Sequence, residues 1–122
     1  LDGAFARIAA SGADAALRMV DPLTAMIRPA IQQTAARHRV PVMYAFREDV
    51  LQGGLIGYGA SQAELYRQAA RLVHRLLQGA TPADLPVEMP TVYELAINLR
   101  TAKALGIAVP QTLLAGATDV IE

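Results

Sequence analysis

Two short apolar runs bracket one helical run near the start of this chain, and that alternation restricts the fold more than any other feature. Residues 14–20 (DAALRMV) and 40–45 (VPVMYA) have the length and side chains of buried strands, and Asp21-Pro22 ends the first. Between them, Ile27, Ala30, Ile31, Thr34 and Ala35 recur at the spacing of one helical face within residues 24–38. Pro29 lies inside that run and either kinks the helix or marks its true first turn. Residues 2–10 read as a further short helix, with Phe5, Ile8 and Ala9 on one face and Ser11-Gly12 as its stop. The order helix–strand–helix–strand is that of parallel strands joined by crossovers. The expected fold class is α/β: a parallel sheet flanked by helices, Rossmann-like.

The rest of the chain extends the pattern. Residues 47–51 give one or two helical turns, Gly53-Gly54 breaks them, and residues 55–59 (LIGYG) form a short strand or extended loop. Ser61 opens the longest helix, where Ser61 and Glu64 match the S-x-x-E capping box. Leu65, Ala69, Leu72, Val73 and Leu76 form its buried stripe, and Gly79 suits its C-terminal stop. Residues 80–90 hold Pro82, Pro86 and Pro90 and read as a surface loop. Residues 92–98 alternate Tyr93, Leu95 and Ile97 against Glu94, Ala96 and Asn98, the mark of a half-buried strand. Asn98 then caps a short helix that Gly106 closes, and Val109-Pro110 starts a last turn containing Leu113 and Leu114.

Charge and residue types narrow the function. Eleven Lys and Arg balance eleven Asp and Glu, which gives no broad field for DNA, RNA or an anionic membrane. The absence of Cys excludes thiolate metal sites, disulfides and Cys nucleophiles. No apolar run approaches the roughly 20 residues of a membrane span. His38 stands at a helix end between Arg37 and Arg39, where a cation suits the helix dipole, and His74 reads as a surface position. Neither has metal-ligand spacing. The glycines of residues 53–59 (GGLIGYG) lack the Lys of a phosphate loop and the strand–helix placement of a dinucleotide fingerprint, so they read as tight turns. No G-x-S-x-G elbow is present, and Thr24 and Ser61 read as helix caps. These patterns point to no catalytic residue, cofactor or metal.

Ligands of open parallel sheets bind outside the carboxyl ends of the strands. The residues emerging there are Asp21 and Pro22 after the first strand, Phe46 and Arg47 after the second, and Tyr58 after the third. A carboxylate, a guanidinium and two aromatic rings suit a small polar or zwitterionic ligand. The plainer readings are that Asp21-Pro22 only caps a helix and that Arg47 pairs with Glu48 at the surface.

Three stretches carry a resemblance: AARHRVPVMYAFREDVLQGGLIGYGAS, AELYRQAARLVHRLLQGATPADLPVEMPT and YELAINLRTAKALGIAVPQTLL. Together, in this order and through the terminal DVIE, they resemble the C-terminal portion of the ABC transporter substrate-binding proteins with a type I periplasmic-binding fold. The resemblance implies a two-lobed, hinged protein that closes around a solute and delivers it to ABC permease subunits. It implies an exported or periplasmic protein, with a signal peptide and a first lobe expected upstream of Leu1. It also implies that Asp21, Pro22, Phe46, Arg47 and Tyr58 line the interlobe cleft, without naming the solute; the residue types favour an amino-acid-like one.

On this reading residues 1–122 are part of a larger protein, and residues 61–90 pack against the missing lobe. Uncovering the apolar stripe of that segment costs roughly 1.5–3 kcal/mol per large side chain. The isolated piece is then expected to form a homodimer or to swap elements with a second copy. The alternatives from the residues alone are a flavodoxin-like regulatory or interaction domain, which needs an acidic cluster at the strand ends, and a small α/β hydrolase, which needs a nucleophile at a strand-to-helix turn.

Overall fold

The computed structural model describes all 122 residues. In chain order the elements are α1 (Asp2–Ala10), β1 (Ala16–Leu17), α2 (Pro22–Met26), α3 (Arg28–Arg37), β2 (Val42–Tyr44), α4 (Arg47–Leu51), β3 (Ile56–Ala60), α5 (Gln62–Leu77), β4 (Tyr93–Asn98), α6 (Leu99–Leu105), α7 (Gln111–Ala115) and β5 (Asp119–Ile121). The five strands form one sheet in sequence order, β1 to β5.

The alternation of the first half builds what it predicts. β1 and β2 are parallel through Ala16↔Val42 and Leu17↔Met43, and β2 and β3 are parallel through Met43↔Ile56 and Tyr44↔Gly57. The first strand is shorter than its apolar run: it ends at Leu17, after which Arg18 keeps one backbone bond to Met43 and turns its side chain inward to Asp49. The single helix expected over residues 24–38 is two. Pro29 sits in the first turn of α3, where its missing N–H breaks no hydrogen bond, and the chain bends at Ile27.

The sheet is mostly parallel rather than wholly so. β4 runs antiparallel to β3, with Ala60 opposite Tyr93, and β5, which the sequence reading did not anticipate, pairs parallel with β4. The reversal follows from residues 61–92, which leave the sheet at the end of β3 and rejoin it at the same edge. The Ser61 amide donates to the Val92 carbonyl (3.0 Å) and closes the base of this excursion.

One sheet face is the core. Val42 and Tyr44 join Phe5, Ile31, Ala35 and Val40 beneath α1 and α3. In register, Gly57, Ala96 and Asn98 continue that face under α4, which is why β4 is buried on both sides at its end rather than half-buried. On the other face, residues 107–113 cover Ile56 and Ile97, while Leu17, Tyr58, Tyr93 and Val120 stay exposed. Helix α5 buries no residue at all, and Leu65, Val73 and Leu76 of its apolar stripe face water. Its expected capping box does not form. Ser61 Oγ donates instead to Glu94 (3.0 Å), and Glu64 pairs with Arg67. Asn98 does cap α6, accepting from the Thr101 amide (3.0 Å), and Gly106 closes it in the left-handed region.

Candidate functional site

The carboxyl ends of β1, β2 and β3 converge on one edge of the sheet. Asp21 caps α2 there, with its Oδ1 accepting from the Thr24 amide at 3.1 Å, and Pro22 follows in the first helical turn. Both are exposed. Phe46 is the N-cap of α4, so Arg47 starts that helix directly beside the sheet.

A pair of glycines brings this linker against β3. A Cβ at Gly59 would stand 2.0 Å from the Ala45 carbonyl oxygen, and one at Gly57 would stand 2.8 Å from that of Phe46. Only a strand without side chains at these two positions lets the backbone approach so closely. Of the glycines read as turns, Gly53 and Gly54 do turn the chain after α4, while Gly57 and Gly59 lie in β3, within the stretch read as a short strand, and set the depth at which Phe46 and Arg47 lie.

Arg47 does not pair with Glu48. Its Nε and Nη2 both donate to the Asp119 carboxylate, the second at 3.2 Å. That hydrogen bond holds the Asp119 carboxyl below its ordinary range and raises the Arg47 guanidinium. Glu94 shares the sheet face of Asp119 and accepts from Ser61 Oγ. The edge therefore carries one cation and two carboxylates side by side, with about a third of the Arg47 side chain still reachable. Next to them Phe46 lines a recess of about 290 Å³ with Gln62, Leu65, Tyr66 and Ala69 of α5.

Tyr58 lies on the opposite face from Arg47, because it alternates with Gly57 and Gly59. It stacks on Tyr93, with ring centroids 6.0 Å apart, and both rings are about half exposed. Asp21, Pro22, Phe46 and Arg47 follow β1 and β2 as expected, whereas Tyr58 does not follow the third strand but is the middle residue of β3, opposite Leu95 and on the other face from Arg47.

Beneath the edge lies a cluster that sequence reading missed. Asp49 is fully buried, with Arg18 Nη2 at 2.6 Å from one carboxylate oxygen and Arg28 Nε at 2.5 Å from the other. The Arg28 approach lacks hydrogen-bond geometry, so it is a contact of charges. The Arg18 guanidinium also packs over the buried Tyr44 ring, 5.4 Å from its centroid. Burial drives the Tyr44 hydroxyl up to about 12. The signal available in sequence was Arg18 itself, a charge inside an apolar run.

A second groove of about 270 Å³ lies at the opposite edge, between α3, β2 and α6. Its polar groups are already engaged: Gln32 donates to the Asp49 carbonyl (2.8 Å) and Thr101 to that of Gly53 (3.0 Å). His38 bonds Asp2 at 3.0 Å and stacks on Phe5, a structural role, and His74 is exposed. No group of three or more His, Asp or Glu side chains gathers to hold a metal ion.

A family model for ABC transporter substrate binding proteins matches residues 4–121. The crystal structure of a conserved domain protein from Vibrio cholerae superposes with a TM-score of 0.88 at 28% identity, covering 98% of this chain and 40% of its own. An ABC domain from Streptococcus pneumoniae in complex with L-Trp gives 0.87 at 27% identity, with the same coverage of 98% and 40%. The ligand-free, open structure of a substrate binding protein with adhesive properties from Clostridium difficile shares the fold, at a TM-score of 0.68 and 22% identity over 98% of this chain and 40% of its own. The chain therefore spans 40% of the length of each of these proteins. No curated protein sequence matches it.

Proposed function

Because the chain belongs to the ABC transporter substrate binding protein family, we propose that it is the C-terminal portion of the solute-binding component of an ABC importer. In this reading the carboxyl edge of the sheet forms one wall of an interlobe cleft, and the closed protein delivers a small polar, amino-acid-like solute to permease subunits outside the cytoplasm. It performs no catalysis. No helix is long and apolar enough to cross a membrane.

The observation that carries the reading is the group at that edge: an aromatic ring at Phe46 beside a guanidinium and two carboxylates. A zwitterion needs both signs of charge within a few ångströms, and an apolar surface for its side chain. The Arg47–Asp119 pair supplies both signs, and a solute carboxylate would compete with Asp119 for Arg47. Asp21 and Pro22 extend the wall, and Tyr58 adds an aromatic ring from the opposite sheet face. The L-Trp held by the Streptococcus pneumoniae protein supports an amino acid as the solute class.

The uncovered apolar surfaces fit the same reading. Residues 61–92 leave and rejoin the sheet at the cleft edge, and the exposed face of α5 packs against the other lobe. In isolation that face pairs with a second copy of the segment. Titration calorimetry of the full-length protein with the twenty common amino acids tests the proposal. At least one is expected to bind in the micromolar range or tighter, and Phe46→Ala to weaken it about tenfold, or about 1.4 kcal/mol. Binding of none of the twenty would refute the solute class.

A further inference from the structure

We propose that Asp49 is a positioning residue: it holds the loop carrying Asp21 and Pro22 at a fixed spacing from the linker carrying Phe46 and Arg47. Only its consequence for affinity rests on reading this edge as the solute site.

The connections run through named atoms. Asp49 belongs to α4, two residues after Arg47, and is fully buried. Its carboxylate takes Arg18 Nη2 at 2.6 Å. Arg18 follows directly on β1, and its Nη1 donates to Thr24 Oγ1 at 3.3 Å. The Thr24 hydroxyl in turn donates to the Asp21 carbonyl at 3.0 Å, and the Thr24 amide is capped by the Asp21 carboxylate. One buried carboxylate therefore links the residues that form two neighbouring parts of the edge.

Little else relates those two parts. β1 contributes only Ala16 and Leu17 to its ladder, and its last backbone tie to β2 is the Arg18 amide on the Met43 carbonyl (2.9 Å). Beyond it Met19, Val20 and Leu23 are exposed, so packing does not hold the loop. On the other side Asp49 is anchored firmly. Its carbonyl accepts from Gln32 Nε2 (2.8 Å) and from the Gly54 amide (3.0 Å), and Arg28, paired with its carboxylate, also donates to Gln52 Oε1 (3.0 Å). The loop has few contacts of its own to the sheet, and one guanidinium ties it to Asp49. A buried ion pair is a weak source of stability but a strict source of geometry, since only one arrangement satisfies it.

The test uses the full-length protein and two substitutions of the linking guanidinium, Arg18→Met and Arg18→Lys. Arg18→Met leaves Asp49 charge-balanced by Arg28 but also removes its hydrogen bond from Arg18 and the packing over Tyr44, so Arg18→Lys is measured beside it. Amide hydrogen exchange without solute is expected to speed up at least tenfold across residues 19–24 in Arg18→Met, with β2, β3 and α6 unchanged. Arg18→Lys, which keeps the charge, should recover part of the protection. Affinity for whichever amino acid binds the wild type should fall about fivefold or more in Arg18→Met. Unchanged exchange at residues 19–24 overturns the proposal, and so does a uniform rise over the whole chain, which marks a merely structural role. Faster exchange with unaltered affinity removes the consequence for the site. If no amino acid binds the wild type, the solute reading fails while the exchange data still decide the link.

Discussion

Replacing Gly59 by Ala tests whether the depth of the Phe46–Arg47 linker is set by the bare backbone of β3. The added Cβ would lie 2.0 Å from the Ala45 carbonyl oxygen, whereas ordinary contact begins near 3.4 Å, so the linker must retreat by about 1.4 Å. Backbone faces backbone here, and no rotamer change relieves the overlap. A retreat of that size exceeds the 0.3 Å by which the 3.2 Å contact from Arg47 Nη2 to Asp119 falls short of the 3.5 Å hydrogen-bond limit. Overpacking of this kind costs about 1–3 kcal/mol. Gly57→Ala gives the comparison, since its nearest contacts, the Phe46 carbonyl oxygen and Cγ2 of the buried Val50, would stand at 2.8 Å, a smaller overlap than at Gly59. Thermal melting of the full-length protein should therefore fall further for Gly59→Ala than for Gly57→Ala. Calorimetry should show weaker amino-acid binding in the same order. A Gly59→Ala protein that melts and binds like the wild type would refute the argument.

Three further outcomes follow from the same contacts. Asp119 titrates below its ordinary value near 3.8, so the Arg47–Asp119 pair contributes stability above that pH and loses it as pH falls through the lower folded value. Arg47→Gln should raise the titration of the Asp119 carboxyl, followed by NMR, and flatten the acid limb of stability; for a pair this exposed the effect is about 1 kcal/mol or less and shrinks with salt. Gly3→Ala places a methyl in open space on α1 and should raise stability by about 0.4–1 kcal/mol, measured as a higher melting temperature. The isolated segment 1–122 should elute as a dimer in size-exclusion chromatography with light scattering, and Tyr66→Ser with Leu77→Ser should make it monomeric, since both residues stand exposed on α5; a monomeric parent segment would refute the pairing.

The parts of the fold that are legible in sequence are those with local causes. The strand–helix–strand alternation, the Asn98 cap and the left-handed Gly106 all follow from neighbours along the chain. The antiparallel β4 does not, because its direction depends on where residues 61–92 bring the chain back, and no short-range pattern records that. The stripe on α5 reads as buried for the same reason: amphipathic spacing says that a face needs covering, without saying by what. At the candidate site, the place of Phe46 and Arg47 directly after β2 was readable from the apolar run before them. Their partners were not, since Asp119 lies 72 residues further on. Asp49 and Arg18 are joined across a separation of 31, and an Asp in a short helix gives no hint of full burial.

The pairing of Ala60 with Tyr93 has a consequence for how this fold can be edited. In topological terms residues 61–92 are an insertion in a β-hairpin, and the sheet on either side of them is contiguous without them. Exchanging these 32 residues for a turn of about four shortens the loop by three doublings, which lowers the entropy of closure by about 1.8 kcal/mol. It also removes every exposed apolar side chain of α5 at once. The β1–β5 ladder is therefore continuous without the excursion, whose ties to it are Ser61 on Glu94 and Val92 and the recess that α5 shares with Phe46.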